Sequence, residues 1–436
     1  MGLGKAGAAA VERLLSLGAY VYAWDDSEQA RNSLPNHAHI QVNPYIEWDF
    51  SRLEAMLLSP GIPLTHPAPH KSVKLAKADD CPIIGDIELL YRINSRPTYI
   101  GITGTNGKST TTALIGHIFK EVGISCEVGG NLGKPALSFD DADVYIIEAS
   151  SYQLDLLDKA IFNIAALLNI TPDHLDRHGG MEGYVAAKQR ICSGGSQDDV
   201  GVICIDDSYA VAMYQELQTS DRKLIAVSTK QSIPQGVYVD NGVLTDQDQH
   251  FPIDQFEHLP GAHNAQNIAV AYVVCRAYGI EGGSIIKAVS SFGGLDHRLQ
   301  IVGKYGNVSF VNDSKATNAE ATSHALKAFD EIYWIVGGKA KEGGIDSLSP
   351  YFSNIRHAFL IGEAASEFAN TLEGSVAYTS SGDLEAATVQ AFAKASEKGG
   401  VVLLSPACAS FDQWPSFEAR GEAFCQYVSA LQHEAA

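Results

Sequence analysis

The sequence predicts an α/β protein of three domains. An N-terminal Rossmann-like domain covers residues 1–92, a central domain with a mainly parallel sheet covers 93–291, and a C-terminal Rossmann-like domain covers 292–436. Three observations lead there. Short β-branched runs alternate with stretches of helical length, as strands and crossover helices of a parallel sheet do. Loops dense in Gly, Asn and Ser recur where such strands end, which is where a parallel sheet opens its ligand crevice. Finally, 436 residues are enough for two or three separate cores.

The formal charge of −20 excludes nonspecific binding to nucleic acid or anionic membranes, which requires basic surface. Anionic ligands must be held by local loops, helix ends and single cations. The seven cysteines (81, 126, 192, 204, 275, 408 and 425) include no Cys-x-x-Cys pair, so neither a disulfide framework nor a cysteine zinc site is expected. The longest apolar stretches, such as 161–170, are too short to span a bilayer. A soluble cytoplasmic protein, monomeric, without nucleic-acid or membrane partners, is the expectation.

The chain opens on Gly2-Leu3-Gly4-Lys5-Ala6-Gly7 and an amphipathic helix over 8–17, then a strand over 19–24 that ends in Asp25-Asp26. This is half of a dinucleotide-type unit, with the acidic pair roughly 20 residues past the glycines. Such a fingerprint follows a strand, yet only Met1 precedes Gly2. About five to eight further apolar residues, one strand's worth, are therefore expected upstream in the functional protein. Comparing stability and activity of chains with and without them tests this; equality contradicts it. The loop Ser59-Pro60-Gly61-Ile62-Pro63 follows an apolar run, 53–58, and reads as a strand-end turn on a ligand crevice or equally as a plain proline turn. A short helix starts at Gly85, and residues 94–97 read as a linker.

In the central domain a strand over 99–103 runs into Gly104-Thr105-Asn106-Gly107-Lys108-Ser109-Thr110, and a helix follows over 109–122. Loop N–H groups and the helix's positive end make a phosphate cradle. Lys108 adds a cation over the outer phosphates, and the Ser109 hydroxyl is a Mg²⁺ ligand by type. The strict P-loop pattern asks for Gly at 102, where this chain has Ile, so the loop is a P-loop variant. Residues 129–133 form another glycine-dense loop, with Asn131 as a neutral hydrogen-bonding amide. A strand over 143–147 ends at Glu148, placed for a metal ligand, before Ser150, Ser151 and Gln153. Another strand, 165–169, empties into Asp173-His174-Leu175-Asp176-Arg177-His178. Histidines four apart hint at zinc, but Leu175 stands where a zincin needs Glu, and a bare surface loop reads the same residues. A helix over 181–191 carries Lys188, by itself an ordinary solvated lysine. Strands over 200–205 and 223–227 precede a hairpin turning at Asn241-Gly242. His263, Asn264 and Asn267 open a long helix to Tyr278, either as caps or facing a base.

The third domain alternates again, with strands over 308–311, 332–336, 358–361 and 401–404. Three polar loops stand at strand ends: 312–318, 337–341 and 405–413. Three in one small domain make a binding face.

Taken in register, these motifs resemble the Mur ligases. The loop 104–110, Glu148 with Ser150-Ser151, Asp173 to Arg177, Ala187-Lys188 and Gly261-x-His263-Asn264-x-x-Asn267 look like that family's central ATPase domain. Within the family, residues 312–318 and 404–410 are similar to the D-glutamate-adding branch. The resemblance implies that ATP phosphorylates the carboxylate of UDP-N-acetylmuramoyl-L-alanine. D-Glutamate's amine then attacks the acyl phosphate, releasing ADP and phosphate. It implies catalytic roles for Lys108, Glu148, His174 and Lys188. ATP would meet Gly104 through Thr110 with Asn264, Asn267, Arg298 and Asp313. The UDP-substrate would meet Gly4, Lys5, Asp25, Ser59, Pro60, Gly61, Asn131, Ser151, Gln153 and His174. The amino acid would meet Lys315, Thr317, Lys341, Ser410 and Phe417. Two Mg²⁺ ions would be held by Ser109, Glu148, His174 and a carbamylated Lys188, the carbamate requiring a depressed lysine pKa. Lys5-Ala6 in the first loop and Asp26-Ser27 after Asp25 depart from the usual pattern. Against this stand three other readings. A dehydrogenase leaves the P-loop unused; a folate polyglutamate ligase lacks the loop at 312–318; a non-catalytic nucleotide-binding protein has no need of the metal ligands.

Overall fold

The computed structural model describes residues 1–131, 133–247, 249–256, 258–259, 261–340 and 343–434. The chain divides into two compact units, Met1–Phe256 with Ala262–Phe292 and Glu257–Gly261 with Gly293–Ala436. Among the described residues no helix is long and apolar enough to cross a membrane.

The first unit is organised by the strand Thr98–Thr103, whose Tyr99, Ile100 and Ile102 are fully enclosed. It lies between Val144–Glu148 and Ile164–Leu167, parallel to both. Register pairs Ile102 with Glu148 and Thr103 with Leu167, so three strands end side by side at one edge. Beyond them the sheet continues through Cys126–Gly130 on one side and Val200–Cys204, Lys223–Ser228 and Gly236–Asp240 on the other, all parallel. Two antiparallel strands, Val243–Asp246 and Gln249–Pro252, complete it. The helix Lys108–Glu121 buries Leu114, Ile115, Ile118 and Phe119. Each of these contributes about 1.5–3 kcal/mol of transfer free energy. A Cβ at Gly101 would strike the Phe162 ring, which explains a glycine inside this core strand.

Residues 1–92 add two short parallel ladders, Val21–Ala23 with Ile40–Val42 and Met56–Leu57 with Ile83–Ile84. Met1–Leu3 lies between them. Gly2 N–H donates to the Trp24 carbonyl, the Met1 amine donates to the Leu57 carbonyl, and Ser59 N–H donates to that of Met1. The helix Lys5–Ser16 covers this junction and, with both ladders, lines a cavity of about 510 Å³. Glu88 joins the segment to the larger sheet. Wholly buried, it accepts the N–H groups of Asp158, Lys159 and Ala160 and pairs with Arg92.

The second unit holds a six-stranded sheet. Its order is Gln300–Tyr305, Val308–Asn312, Gly400–Leu404, Ile332–Gly337, Ile355–Ile361 and Tyr378–Gly382, antiparallel only at the first pair. Apolar residues pack on both faces, with Trp334, Leu360 and Phe368 on one side and Phe310, Phe359 and Phe424 on the other.

Several elements differ from expectation, four of them for one reason. Residues 129–130 end the strand Cys126–Gly130 rather than belonging wholly to a loop, and Gln249–Pro252, Gln300–Tyr305 and Tyr378–Gly382 are strands with no apolar run. All four lie at sheet edges, where a strand is covered on one side and carries polar residues. The apolar run 53–58 forms only the two-residue strand Met56–Leu57, its first residues being the exit from the 3₁₀ turn Phe50–Arg52.

Glu88→Ala removes a buried acceptor shared by three N–H groups. Urea denaturation should show a loss of about 2–4 kcal/mol. A loss within error of zero would mean the contact does not hold 86–93 against 158–160.

Candidate active site

The glycine loop is shaped by contacts on both sides. Gly107 sits at φ +83°, a left-handed conformation, and a Cβ there would run into the Asn267 side-chain oxygen. Asn169 holds the loop from the neighbouring strand end. Its Oδ1 accepts the N–H groups of Thr105 (3.1 Å) and Asn106 (2.9 Å), while its Nδ2 donates to the Asn106 carbonyl and to Gln266 Oε1. Thr105 is also tied to Tyr184 and to the backbone of Thr171. Asn267 accepts from Thr111 Oγ1 and donates to Asn264, so this pair braces the loop's helix. Both asparagines are buried.

At the centre, two lysines converge on one carbonyl. Lys108 Nζ donates to the Gly104 and Thr105 oxygens, both at 2.9 Å. Lys188 Nζ donates to the same Gly104 oxygen at 2.8 Å and lies over the Tyr184 ring. Lys188 is only 1% exposed, on the helix Met181–Gln189 beside Ala187. Burial, then the neighbouring Lys108 charge, pull its pKa down to about 7, with Asp173 opposing. A lysine of ordinary helix type is thus a buried, readily neutral amine.

Glu148, 2% exposed, ends its strand inside this region. Its Oε1 accepts from Asn131 Nδ2 at 2.7 Å, while its Oε2 is buried and has no hydrogen-bond partner among the described residues. A buried orphan carboxylate oxygen costs desolvation free energy that a cation would recover. Glu148, with the Ser109 hydroxyl at the helix start, therefore fits a hard divalent cation such as Mg²⁺ in donor type. Among the described residues no group of three or more His, Cys, Asp or Glu could hold a metal alone. This suits Mg²⁺, which takes few protein carboxylates and uses substrate phosphates for the rest.

His174 adopts φ +53° and is half exposed beside Asp173. His178 is buried and turned away, meeting Ser151 Oγ at 2.9 Å and Asp155 at 3.2 Å. The four-residue spacing thus serves two separate tasks. Gln153 spends its side chain inside the fold, on the Ser150 cap and on both oxygens of buried Asp86. Arg177 donates to the Pro60 and Gly61 carbonyls and stacks on Tyr152, tying the Ser59–Pro63 loop to the loop carrying His174. Near the start, Asp25 accepts the N–H groups of Leu3 and Ser27. Burial works against its charge, but these bonds hold its pKa below the ordinary carboxylate value. Gly4 caps the first helix and Lys5 is exposed.

In the second unit, Asn312, Leu404 and Gly337 end adjacent parallel strands, so their loops emerge together. Asp313 is buried, accepts from Ser405 Oγ (2.7 Å) and the Leu299 N–H, and is pushed up to about 7 by that burial, with Arg298 opposing. Lys315 lies 3.9 Å from the centre of the Phe417 ring. Thr317 is half-buried and Ser410 buried. Lys341 lies outside the described residues. Sequence reasoning missed Asn169, gave Arg177 only as the end of the motif 173–177, and missed Arg420. The first could have been found as a polar residue ending an apolar strand; the other two look like ordinary surface cations in sequence.

Residues 102–275 match the family model of the Mur ligase middle domain, and 297–408 that of the Mur ligase, glutamate ligase domain. The chain belongs to the Mur ligase family. It is 46% identical over 452 residues to the UDP-N-acetylmuramoylalanine–D-glutamate ligase of Rhodospirillum rubrum, covering 99% of this chain and 94% of that one. The corresponding ligase of Caulobacter vibrioides is 45% identical, with 99% and 95% covered. Among solved structures, the Thermotoga maritima UDP-N-acetylmuramate-alanine ligase MurC superposes with a TM-score of 0.60 at 15% identity, over 98% of this chain and 97% of that one. A UDP-N-acetylmuramoyl-L-alanyl-D-glutamate–2,6-diaminopimelate ligase gives 0.59 at 19%, covering 89% and 94%. The Mur ligase fold is thus common to chains of very different sequence.

Asn169→Ala should loosen the loop, since it removes two N–H acceptors at once. Calorimetric titration with ATP should show affinity down by about tenfold, the worth of one or two hydrogen bonds. Unchanged affinity would mean the loop holds its shape without Asn169.

Proposed function

We propose that this Mur ligase joins D-glutamate to UDP-N-acetylmuramoyl-L-alanine at the expense of ATP, releasing ADP and phosphate. The observation that carries this reading is near-full-length identity of 46% to a ligase of that name, together with Lys108 and the buried Lys188 and Glu148 around a phosphate-type loop. The loop N–H groups and the start of the helix Lys108–Glu121 receive the ATP phosphates. Lys108, now satisfied by two carbonyls, swings to the transferring phosphoryl group and offsets its charge. Glu148 and Ser109 would hold Mg²⁺, which would supply positive charge to the outer phosphates.

Lys188 supports the ligase reading specifically. A neutral amine can add CO₂ to form a carbamate, which turns a cation into a metal-binding anion, and an amine with pKa about 7 is neutral in a large fraction at physiological pH. His174, half exposed on the loop that Arg177 ties to Pro60 and Gly61, would meet the UDP-substrate, as would Asn131 and Ser151. The γ-phosphoryl passes to the muramoyl-alanine carboxylate. The amine of D-glutamate then attacks the acyl carbon, an amide bond forms and phosphate leaves. The loops of the second unit, with Lys315, Thr317, Ser410 and Phe417, would receive D-glutamate.

Phosphate release with ATP and Mg²⁺ should require both UDP-N-acetylmuramoyl-L-alanine and D-glutamate. Release that ignores either one overturns the reading. Lys188→Ala should lower turnover by about a thousandfold or more while the thermal melt stays near wild type, removal of a charge-organising group at a phosphoryl-transfer centre having effects of that order. Activity close to wild type would remove Lys188 from the mechanism. Because Lys188 titrates near 7, lowering the pH below that value protonates the amine and should reduce turnover, and raising it should restore activity.

A further inference from the structure

Arg420 stands beneath the three strand-end loops of the second unit, and nothing above gives it a task. It lies on the helix Phe417–Glu434 and is 1% exposed. Its Nε donates to Ser314 Oγ at 3.0 Å, and its Nη2 donates to the carbonyls of Ser314 (2.9 Å) and Cys408 (3.1 Å). Ser314 Oγ donates in turn to the Phe417 carbonyl. One guanidinium thus pins residues 312–318 to 405–413. Its Nη1 lies 3.3 Å from where a Gly338 Cβ would stand, so the third loop also passes over it.

What these contacts leave out is as informative as what they include. The partners are a hydroxyl and two carbonyls, none of them a carboxylate. Nη1 is buried with no hydrogen-bond partner among the described residues. Asp412 acts on Arg420 through its charge without pairing with it, and its Oδ2 accepts the Glu363 N–H. Burial lowers the Arg420 pKa to about 10, which still leaves it cationic at neutral pH. A cation enclosed without a hydrogen-bonded carboxylate is expensive merely to brace loops, because a neutral donor could make the same bonds. An arriving anion offsets that cost.

We propose that Arg420 is a positioning and specificity residue for the acidic amino acid: it braces the loops carrying Lys315, Thr317 and Ser410, and its unpaired charge makes that face prefer a side-chain carboxylate over the neutral amide. The proposal rests on the reading that D-glutamate is the acceptor. It separates two functions of the loop face. Lys315, Thr317 and Ser410 would contact the substrate, whereas Arg420 acts through the field and geometry it imposes on them. Arginine suits both tasks, since its planar fork serves two carbonyls and a hydroxyl while its charge persists at any physiological pH.

The test uses the full chain in the complete ligase reaction, measuring KM for D-glutamate and Ki for D-glutamine as its neutral isostere. In Arg420→Gln, which keeps donors but loses the charge, KM should rise by about tenfold or more, the scale of one charge-assisted interaction. Ki for D-glutamine should stay within about threefold, and kcat should fall less than KM rises. Arg420→Lys should keep the Ki-to-KM ratio near the wild-type value. Equal worsening of both constants means a purely structural brace and overturns the proposal, as do unchanged constants. If Arg420→Gln fails to fold by circular dichroism, Arg420→Lys decides alone: a collapsed ratio despite the retained charge overturns it. Failure of the wild-type chain to use D-glutamate at all would instead sink the functional reading.

Discussion

The first unit's site depends on one carbonyl oxygen. Gly104 O accepts from both Lys108 and Lys188, so two ammonium groups compete for a single acceptor in a place where one of them is closed to water. Burial disfavours the charged form of the enclosed amine, and the like charge of Lys108 adds to that effect. Lys188 is the enclosed group, and the two effects in that order bring its pKa down to about 7. The surrounding fold serves to keep the two amines there. Gly107 makes the backbone turn, Asn169 holds the loop's N–H groups, and Thr105 with Tyr184 locks the loop to the helix that carries Lys188.

The same economy governs the second unit, taken by itself. Parallel strands end side by side and deliver three loops to one edge, where backbone geometry alone would leave them slack. Buried polar groups tighten them. Asp313 links to Ser405 across neighbouring strand ends, and Arg420 reaches Ser314 and Cys408. Each is costly to bury and each is held by hydrogen bonds to groups on neighbouring strand ends.

Much of this was legible in residue order. The central sheet announces itself because its strands are buried on both faces and read as apolar runs, as at Tyr99–Thr103 and Val144–Ile147. The glycine loop, Glu148 and the three polar loops were legible because strand ends of a parallel sheet are where ligands bind. The edge strands at 126–130, 300–305 and 378–382 were not, since half-exposed segments carry no apolar signature. Lys188, Arg177 and Arg420 show the deeper limit. Nothing in a helix containing Lys188 tells that its amine is enclosed, because enclosure comes from Tyr184, Gly104 and Lys108 brought from elsewhere in the chain. The two arginines likewise act only through carbonyls distant in sequence, at Pro60 and Gly61 for one and Ser314 and Cys408 for the other.

The chemistry of the first unit's site turns on the state of the Lys188 amine, and nuclear magnetic resonance reads it directly. In protein labelled at lysine Nζ and equilibrated with ¹³C-bicarbonate, the account predicts an amine titrating near 7 and a carbamate carbonyl signal, both absent from Lys188→Ala. A Lys188 that titrates in the ordinary lysine range and gives no such signal would contradict it.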